Sequence, residues 1–581
     1  MHLVILSLIN LALLISGLGI YRYIYPKKRI KFVIVLLLLS FLPIVSIFRP
    51  GSYESGDLSL HATRAMSFYN VLTQEHTIPK WSPELNLGYG DAYFEFIYFF
   101  PYLLISIIHS LGIDFLNSVK IVISLAYILS GQTFFLFVKK ILGEKSALIG
   151  AIFYLFAPYH LVDLHFRVTI AEIISFAIIP LLFYYAFQLG KKGTTSQTIF
   201  LSIVLSFQLL THQIIFLTSL PFLTVFYIYT VYRLKNREKI RRLISLSCAF
   251  FTSALLTGFH WIPILFEAKY IYQSLPTYKG VIMFTPFEMI LFSPWRYGLL
   301  FQGHFGELSF IIGYTQLFVI ILAVYQLSTN KLKKNVKILT SLSIICLAIL
   351  ILMMLKFSEP LWDIIPLINN IQFTYRLLLV ISFITSLLAA IVFKDVSNKK
   401  ILFLISFLTI SYTILNWGNR KNIPQHTDTY LKNQLLYGPT VTGDVEPTAP
   451  IWVNPNKVSF TKRPAKHIEI VSGAAEIQEI KRSPYRHIYS INTDSQSKFK
   501  ENTFFFPGWQ LKVNNQLYPF NYTDKNFPGI INFKLREGKY NVEISFNPTL
   551  VRKVAFLISI VSIISLGLYV LLKKFKRYYY D

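Results

Sequence analysis

The residues whose types and spacing could support chemistry lie close together near position 60. Asp57 and His61 are four residues apart, and Arg64 follows three residues later. In a helix, this spacing would place the three side chains on much the same face. The carboxylate could take a proton from a hydroxyl group, or hold a divalent cation against a phosphate-like leaving group. The alternative is the ordinary polar face of an amphipathic helix.

Further residues are candidates for substrate binding because polar and aromatic side chains at the ends of apolar segments often mark a site. With Arg64, they are Trp81, Tyr89, His160, Arg167, Glu172, His212, Arg296 and Arg376. Each also has a plainer interpretation. The aromatic residues could form an interfacial belt, the Arg side chains could snorkel, and a lone His could satisfy a turn. Arg167 and Glu172 could form a structural ion pair, or position a phosphate group and an acceptor.

The composition excludes a soluble globular protein. The chain has 581 residues, 54% of them hydrophobic, and a formal net charge of +27. Apolar runs of about 20 residues recur, which is typical of a polytopic membrane protein. The basic residues fall in short loops between these runs, as the positive-inside rule requires, so the charge does not indicate nucleic-acid binding. Cys248 and Cys346 both lie in apolar runs, so we expect no disulfide framework or thiolate metal site.

The apolar runs predict a mainly α, polytopic transmembrane bundle of about 13 spans. The predicted spans are residues 2–21, 31–48, 118–138, 146–164, 169–189, 197–211, 213–232, 243–263, 309–328, 336–356, 377–393, 400–417 and 552–572. Residues 93–113 are also apolar, but counting them as a span would place several basic loops outside. We therefore predict that 93–113 does not span. The N-terminus and the loop of Asp57 are then extracytoplasmic, and the C-terminus is cytoplasmic.

The chain changes character near residue 418. Alternating apolar and polar residues in 510–513 and 540–546, separated by turn signals, predict strands of a small antiparallel domain. The predicted organisation is a membrane domain over 1–417, with a large external loop at 49–117. An extracytoplasmic β-sandwich-like domain follows over 418–551, and a final transmembrane helix with a basic tail occupies 552–581.

The order of several short motifs is more specific than any one of them. These are Gly56-Asp57, His61, Arg64, Trp81-Ser82-Pro83, Gly88-Tyr89-Gly90, Ala157-Pro158-Tyr159, Arg167, Glu172, Thr211-His212 and Gln372-Phe373-Thr374-Tyr375-Arg376. This order resembles the prokaryotic membrane proteins called 6-pyruvoyl-tetrahydropterin synthase-related. In that family Phe-Pro-Trp-Arg stands where this chain has Phe373 to Arg376, and the Arg is retained. The C-terminal Phe506-Pro507-Gly508-Trp509 is similar to the end of YfhO-type membrane glycosyltransferases.

The resemblance implies the architecture and chemistry of the GT-C glycosyltransferase superfamily. Sugar would pass from a polyprenyl-phosphate donor to an extracytoplasmic acceptor, which could be a cell-envelope glycan, a lipid or a protein. Asp57 would be the catalytic carboxylate with His61 beside it, and a divalent cation (magnesium or manganese) is the candidate cofactor. Membrane lipid is an expected partner, and nucleic acid is not. The alternatives are a non-catalytic carrier or flippase, and a scaffold for lipid-linked glycans.

Overall fold

The computed structural model describes the chain except for residues 1, 27–30, 275–281, 292–309, 330–331, 365–370, 415–416, 418–420, 438–446, 454–462 and 581. The described residues form two compact units that interleave along the sequence. Unit 1 contains Met1–His61, Leu116–Ser253 and Val281–Gln425, and unit 2 contains Ala62–Phe115, Ala254–Gly280 and His426–Asp581. The predicted domains, by contrast, are continuous segments of the sequence divided at residues 417 and 551. That division stays a prediction.

Helices account for most of the described residues. They are α1 (His2–Ile24), α2 (Phe32–Ile44), α3 (Leu58–Glu75), α4 (Tyr93–Phe96), α5 (Phe100–His109), α6 (Phe115–Leu142), α7 (Glu144–Leu155), α8 (Pro158–Val162), α9 (Ile170–Lys192), α10 (Thr195–Thr211), α11 (Gln213–Val231), α12 (Asn236–Leu256), α13 (Gly258–Glu267), α14 (Phe287–Leu291), α15 (Tyr314–Ser328), α16 (Lys334–Met354), α17 (Glu359–Ile364), α18 (Leu378–Val392), α19 (Lys399–Ser411), α20 (Asp428–Tyr437) and α21 (Leu550–Tyr580).

The strands are short and most of them lie near the C-terminus. They are β1 (Ser52–Tyr53), β2 (Asn422–Ile423), β3 (Ile468–Ser472), β4 (Ala475–Ser483), β5 (Arg486–Thr493), β6 (Ser497–Phe504), β7 (Trp509–Val513), β8 (Gln516–Leu517), β9 (Ile530–Leu535) and β10 (Gly538–Phe546). The predicted β-rich region near the C-terminus is therefore confirmed. The mainly helical character of the rest is confirmed as well.

Each of the 13 predicted spans overlaps a helix, but most of these helices are short or bent. Among the described residues, six helices are long and apolar enough to cross a membrane: α6, α9, α11, α16, the helix over 374–392 and α21. Two bent pairs, at 144–167 and 236–270, raise this number to eight if each pair is one span. The count of about 13 therefore stays a prediction.

The segment 93–113 does not form a membrane-length helix. It divides into α4 and α5, which have 4 and 10 residues. At 1.5 Å per residue, α5 extends for about 15 Å, half the thickness of a bilayer core. Neither helix is long enough to cross a bilayer by itself. This agrees with the expectation from the charge pattern, and the non-spanning placement of the segment stays a prediction.

Unit 1 is built around α18, in which every residue is buried. The sequence allows close packing here because small side chains face each other. A Cβ atom on Gly150 of α7 would lie 2.9 Å from that of Ala390 in α18, a backbone approach that membrane helices commonly use. Helices α9, α11 and α18 all begin at the end of the unit that carries the acidic and basic cluster described below.

Unit 2 contains a sandwich-like pair of antiparallel sheets. One sheet has the order β4-β5-β10-β7-β8 and the other has the order β3-β6-β9. Alternate residues of β5 are buried, as the alternating pattern requires: His487, Tyr489, Ile491 and Thr493. The turn between β7 and β8 places Asn514 and Asn515 in the left-handed region, at φ 49° and 67°, which is the turn chemistry that the sequence predicted there.

Candidate functional site

Asp57 is held in place through the backbone. Its N–H donates to the carbonyl of Arg167 over 2.9 Å, and the N–H of Gly56 donates to Phe166 over 2.7 Å. Its own carbonyl accepts from the N–H of His61 over 2.8 Å, so Asp57 lies one residue before α3 and caps it. Asp57 therefore stands at the N-cap of α3, and its carbonyl makes the first hydrogen bond of the helix with His61. That the two side chains share one face stays a prediction.

The chain between α8 and α9 is shaped to receive this loop. Residues Asp163–Arg167 form a π-helical turn, and Val168 follows in the left-handed conformation at φ 56°. A β-branched residue rarely adopts this conformation, which costs about 1–3 kcal/mol and is common at functional sites. The break ends the helix at Arg167, so the carbonyl groups of Phe166 and Arg167 are free to accept from Gly56 and Asp57.

Arg167 is the centre of a buried polar network. Its Nη1 donates to Oδ1 of Asp163 over 2.6 Å and to Oη of Tyr159 over 2.6 Å. Its Nη1 and Nη2 donate to the two carboxylate oxygens of Glu172 over 3.1 and 3.0 Å. Tyr159 donates in turn to Oε2 of Glu172 over 2.7 Å, and Thr169 donates to Asp163 over 2.9 Å. The side chain is only 7% exposed, and both Nη1 and Nη2 of Arg167 donate to protein groups.

Arg376 has a different environment. Its Nε lies 3.3 Å from Oε1 of Glu172, and its Nη1 donates to the carbonyl of Ile371 over 2.8 Å. The Arg376 side chain is 17% exposed, and its Nη2 has no hydrogen bond to the residues that the structure describes. Nη2 of Arg376 is therefore a better candidate to bind a phosphate group than the Nη1 and Nη2 atoms of Arg167, which already donate to protein groups.

The electrostatics of the site centre on the Asp57 carboxylate. Burial raises the pKa of Asp57 above its ordinary value of 3.8, and Glu172 adds to the rise. Arg167 and Arg376 lower the pKa and so oppose the effect of burial. A carboxylate with a raised pKa is a stronger base than a free one, which suits the removal of a proton from a hydroxyl group.

The three histidines that the sequence predicted for the site are all buried among protein groups. His160 is fully buried, its ring stacks on Phe176 at 3.8 Å, and its Nδ1 lies 3.1 Å from the carbonyl of Tyr154. His212 separates α10 from α11, and its Nδ1 accepts from the N–H of Ile215 over 3.4 Å. It also lies near enough to Glu172 to interact electrostatically. His61 is buried in the first turn of α3.

The remaining predicted residues lie in unit 2 or outside the described chain. Trp81 is 1% exposed and packs edge-on against Trp509, and Tyr89 stacks on Phe504 at 4.9 Å. Both belong to the core of the β domain and not to an open ligand surface, which corrects the prediction of substrate contact. The guanidinium of Arg64 lies 4.1 Å from the ring centre of Tyr93. Arg296 lies outside the described residues.

Three residues of the network were not among the sequence candidates. They are Tyr159, Asp163 and Tyr375, whose ring centre lies 4.9 Å from the guanidinium carbon of Arg167. The i, i+4 spacing of Asp163 and Arg167 was a usable signal for an ion pair. Tyr159 and Tyr375 stand in two of the motifs that carry the resemblance. Those motifs do not place either ring beside Arg167, because each contact depends on the fold.

Within the described ranges, no group of three or more His, Cys, Asp or Glu side chains is arranged to hold a metal ion. Asp163 and Glu172 already bind Arg167, so their oxygens face a guanidinium group. The predicted magnesium or manganese ion stays a prediction.

A family model described as "6-pyruvoyl-tetrahydropterin synthase related domain; membrane protein" matches residues 96–419. This is more than half of the 581 residues. The chain belongs to this family. The match runs from the end of α4 to a point beyond α19, so it includes the Arg167 network and Arg376 but neither Asp57 nor α21. The resemblance found in the sequence motifs is therefore confirmed.

The similar proteins found outside the family model are distant. An uncharacterised protein of Lactococcus lactis subsp. cremoris (strain MG1363) is 22% identical over 251 residues, which are 42% of this chain and 41% of that protein. Arabinofuranosyltransferase AftD from Mycobacteria has a TM-score of 0.43 and 14% identity, over 66% of this chain and 26% of AftD.

The archaeal oligosaccharyltransferase AglB from Archaeoglobus fulgidus, in complex with an inhibitory peptide and a dolichol-phosphate, has a TM-score of 0.37. Its identity is 14%, over 68% of this chain and 56% of AglB. This chain therefore spans about two fifths of the Lactococcus protein, a quarter of AftD and just over half of AglB.

Proposed function

We propose that this protein is a GT-C-type membrane glycosyltransferase that transfers a sugar from a polyprenyl-phosphate donor to an extracytoplasmic acceptor in the cell envelope. The observation that carries the proposal is the position of Asp57. The backbone of residues 166–167 holds its main chain, and its carboxylate is near enough to Arg167 and Arg376 to interact electrostatically with both. A fixed carboxylate with a raised pKa is suited to act as a general base, and a nearby cation is suited to receive a phosphate leaving group.

The reaction would be a single displacement. The acceptor hydroxyl oxygen attacks the anomeric carbon of the donor while Asp57 takes the hydroxyl proton. The bond between that carbon and the phosphate oxygen breaks, and its electron pair leaves with the polyprenyl phosphate. The developing charge on the phosphate would meet Arg376, whose Nη2 is directed to none of the described residues. The product would have the inverted configuration.

Arg167 has a positioning role in this proposal. Its backbone carbonyl accepts from the N–H of Asp57, and its side chain is held by Asp163, Glu172 and Tyr159. A buried charge with several hydrogen bonds to a rigid partner stays in one geometry. The network would therefore keep the general base within reach of the acceptor, and no step passes through a metal ion.

The membrane orientation follows from charge. Helices α9, α11 and α18 begin at the site and are followed at their other ends by Lys191, Arg233 and Lys394. Since basic residues favour the cytoplasmic side, we place the Asp57 end outside. The N-terminus and the β domain would also be extracytoplasmic, and the C-terminus cytoplasmic.

The decisive experiment is transfer of radiolabelled sugar from a panel of polyprenyl-phosphate sugars to membrane extracts, with purified full-length protein. Asp57→Asn removes the base and keeps the size of the side chain. Glu54→Gln is the matched control, because Glu54 is an exposed acid in the same loop. We expect transfer by the wild type and by Glu54→Gln, and its loss in Asp57→Asn. No transfer from any donor would favour the carrier or scaffold alternative. Equal transfer by all three proteins would show that Asp57 is not the general base.

A further inference from the structure

A basic cavity lies at the end of unit 1 that is opposite to Asp57. Its volume is about 380 Å³, and five cationic side chains from separate parts of the chain line it: Lys191, Arg233, Lys333, Lys334 and Lys394. Lys191 belongs to α9, Arg233 follows α11, Lys394 follows α18, and Lys333 and Lys334 stand at the start of α16. Helices that are far apart in sequence therefore converge on one cavity.

The distance from the proposed active site is set by the helices themselves. Glu172 and Lys191 are 19 residues apart in α9, which corresponds to about 28 Å at 1.5 Å per residue. His212 and Arg233 stand in the same relation on α11, and Arg376 and Lys394 on α18. The cavity is thus a separate site near the opposite face of the membrane.

The charge of the cavity is not balanced by the protein. No Asp or Glu lines it. Among the residues that the structure describes, none of the five cations has a carboxylate oxygen within 4 Å, whereas Lys139 and Arg242 nearby in sequence each have one. Five like charges around one cavity repel one another, and an anion between them would lower that repulsion.

The rest of the lining is mainly apolar, with Tyr229 and Asn335 as its polar residues. Ile141 and Leu142 close α6, and Val336 and Leu339 lie in the first turns of α16. Tyr229 contacts the first turn of α16, where its hydroxyl donates to the carbonyl of Asn335 over 3.2 Å. This combination suits a phosphodiester that carries acyl chains. The cations would bind the phosphate, and the apolar residues would contact the chains.

We propose that this cavity binds a phosphate group, and that the group is the head group of an anionic phospholipid. Basic pockets between membrane helices are suited to such head groups because the lipid already presents its phosphate at that depth. A soluble phosphate offers the same oxygens without the acyl chains, so it would gain nothing from Ile141, Leu142 and Leu339. The site is independent of the proposed transferase chemistry.

The test compares ligands on the full-length protein in detergent, with its thermal unfolding temperature and the lipids retained in native mass spectrometry as readouts. Phosphatidylglycerol, phosphatidylcholine and inorganic phosphate are added at equal phosphate concentration, with sodium chloride matching the ionic strength. We expect phosphatidylglycerol to be retained and to raise the unfolding temperature, and phosphatidylcholine to have little effect. An equal rise with inorganic phosphate would assign the site to a soluble phosphate instead.

Two double variants locate the effect. K333Q/K334Q removes two charges from the cavity, and K399Q/K400Q removes two exposed charges outside its lining. We expect K333Q/K334Q to lose most of the rise and the retained phosphatidylglycerol, and K399Q/K400Q to keep both. R233Q/K394Q is a second test at the other wall of the cavity, should K333Q/K334Q fold poorly. No rise with any ligand, or the same rise in the cavity variants as in the wild type, would overturn the proposal.

Discussion

Glu172 accepts from Nη2 of Arg167 over 3.0 Å, across the break between the π-helical turn and α9. The same carboxylate oxygen lies 3.3 Å from Nε of Arg376. One buried acid therefore links the backbone segment that holds Asp57 to the helix that carries the proposed phosphate ligand. The negative charge of Glu172 is balanced by Arg167 and Arg376, so its removal should change the stability of the protein.

Glu172→Gln is expected to destabilise the protein strongly. Removing one partner from a buried ion pair leaves the other charge uncompensated, at a cost of about 3–5 kcal/mol. The thermal unfolding temperature of the purified protein measures this loss. Glu238→Gln is the matched control, because Glu238 pairs with Arg242 at i, i+4 but is 48% exposed, and exposed pairs contribute about 0–1 kcal/mol. Equal unfolding temperatures for the two variants would contradict a buried network at Arg167.

The pH dependence of sugar transfer should follow the ionisation of Asp57. The base must be deprotonated, so transfer should fall as the pH decreases through the pKa of Asp57. Because burial raises that pKa above 3.8, the fall should occur at a higher pH than for an ordinary aspartate. The rate of transfer against pH measures this directly.

Substitutions at Arg376 test whether this pH dependence reports the ionisation of Asp57. Arg376 lowers the pKa of Asp57, so Arg376→Gln should move the acid limb to higher pH, and Arg376→Lys should keep it near its original position. Arg376→Gln should also reduce the rate, by about tenfold or more, because a charged hydrogen bond to the phosphate is lost. An acid limb at the same pH in Arg376→Gln would separate Asp57 from Arg376 and remove the basis of the site.

Local patterns in the sequence were sufficient for the membrane helices and for part of the site. Apolar length located helices at all 13 predicted spans, and the segment 93–113, which loop charge predicted not to span, folds into two short helices. The motif at Arg167 and Glu172 was recognised as an ion pair or a site, and the structure shows the ion pair. These features depend on neighbours within about five residues, so spacing alone reports them.

Contacts between distant segments could not be predicted in the same way. The pairing of Gly56 and Asp57 with residues 166–167 joins segments more than 100 positions apart. Trp81 has the composition of an interfacial residue, yet it packs on Trp509. Sequence reasoning assigned it to a ligand surface because an aromatic residue near a membrane boundary serves equally well in a belt, a binding site or a core.

The packing of Trp81 predicts a large effect of a small substitution at Gly90. A Cβ atom at Gly90 would lie 2.3 Å from the ring of Trp81, and the φ of Gly90 is +85°. Gly112 is the matched control, because its φ is +89° and nothing lies within 4 Å of its Cβ position. Both Ala variants carry the backbone strain, about 1–2 kcal/mol, and Gly90→Ala adds about 1–3 kcal/mol of overpacking.

Thermal unfolding of the two Ala variants measures the difference. We expect Gly90→Ala to unfold at a lower temperature than Gly112→Ala, and protease cleavage within 468–546 to increase only in Gly90→Ala. The same unfolding temperature in both would show that Trp81 can move away without cost. With that result, Trp81 would again be a candidate for ligand binding.

The β domain should lose stability in acid because of one buried acid, Glu501. Burial raises the pKa of Glu501, but His487 and Arg482 outweigh that effect and lower it to about 2. Since the ordinary value is 4.5, the folded state favours the ionised form. Its contribution, about 3 kcal/mol, is complete above pH 4.5 and disappears as the pH falls towards 2. Protease cleavage within 468–546 of the full-length protein should therefore increase over that range.

Two substitutions separate Glu501 from the other acids of the domain. Nη1 of Arg482 donates to Glu501 over 2.9 Å, so Glu501→Gln should increase cleavage already at pH 7, where Arg482 loses its partner. The further increase between pH 4.5 and 2 should then be smaller than in the wild type. Glu543→Gln, which removes the partner of the half-exposed Arg486, should keep the wild-type response because a surface pair contributes little. A Glu501→Gln variant with the wild-type response in acid would show that other carboxylates determine it.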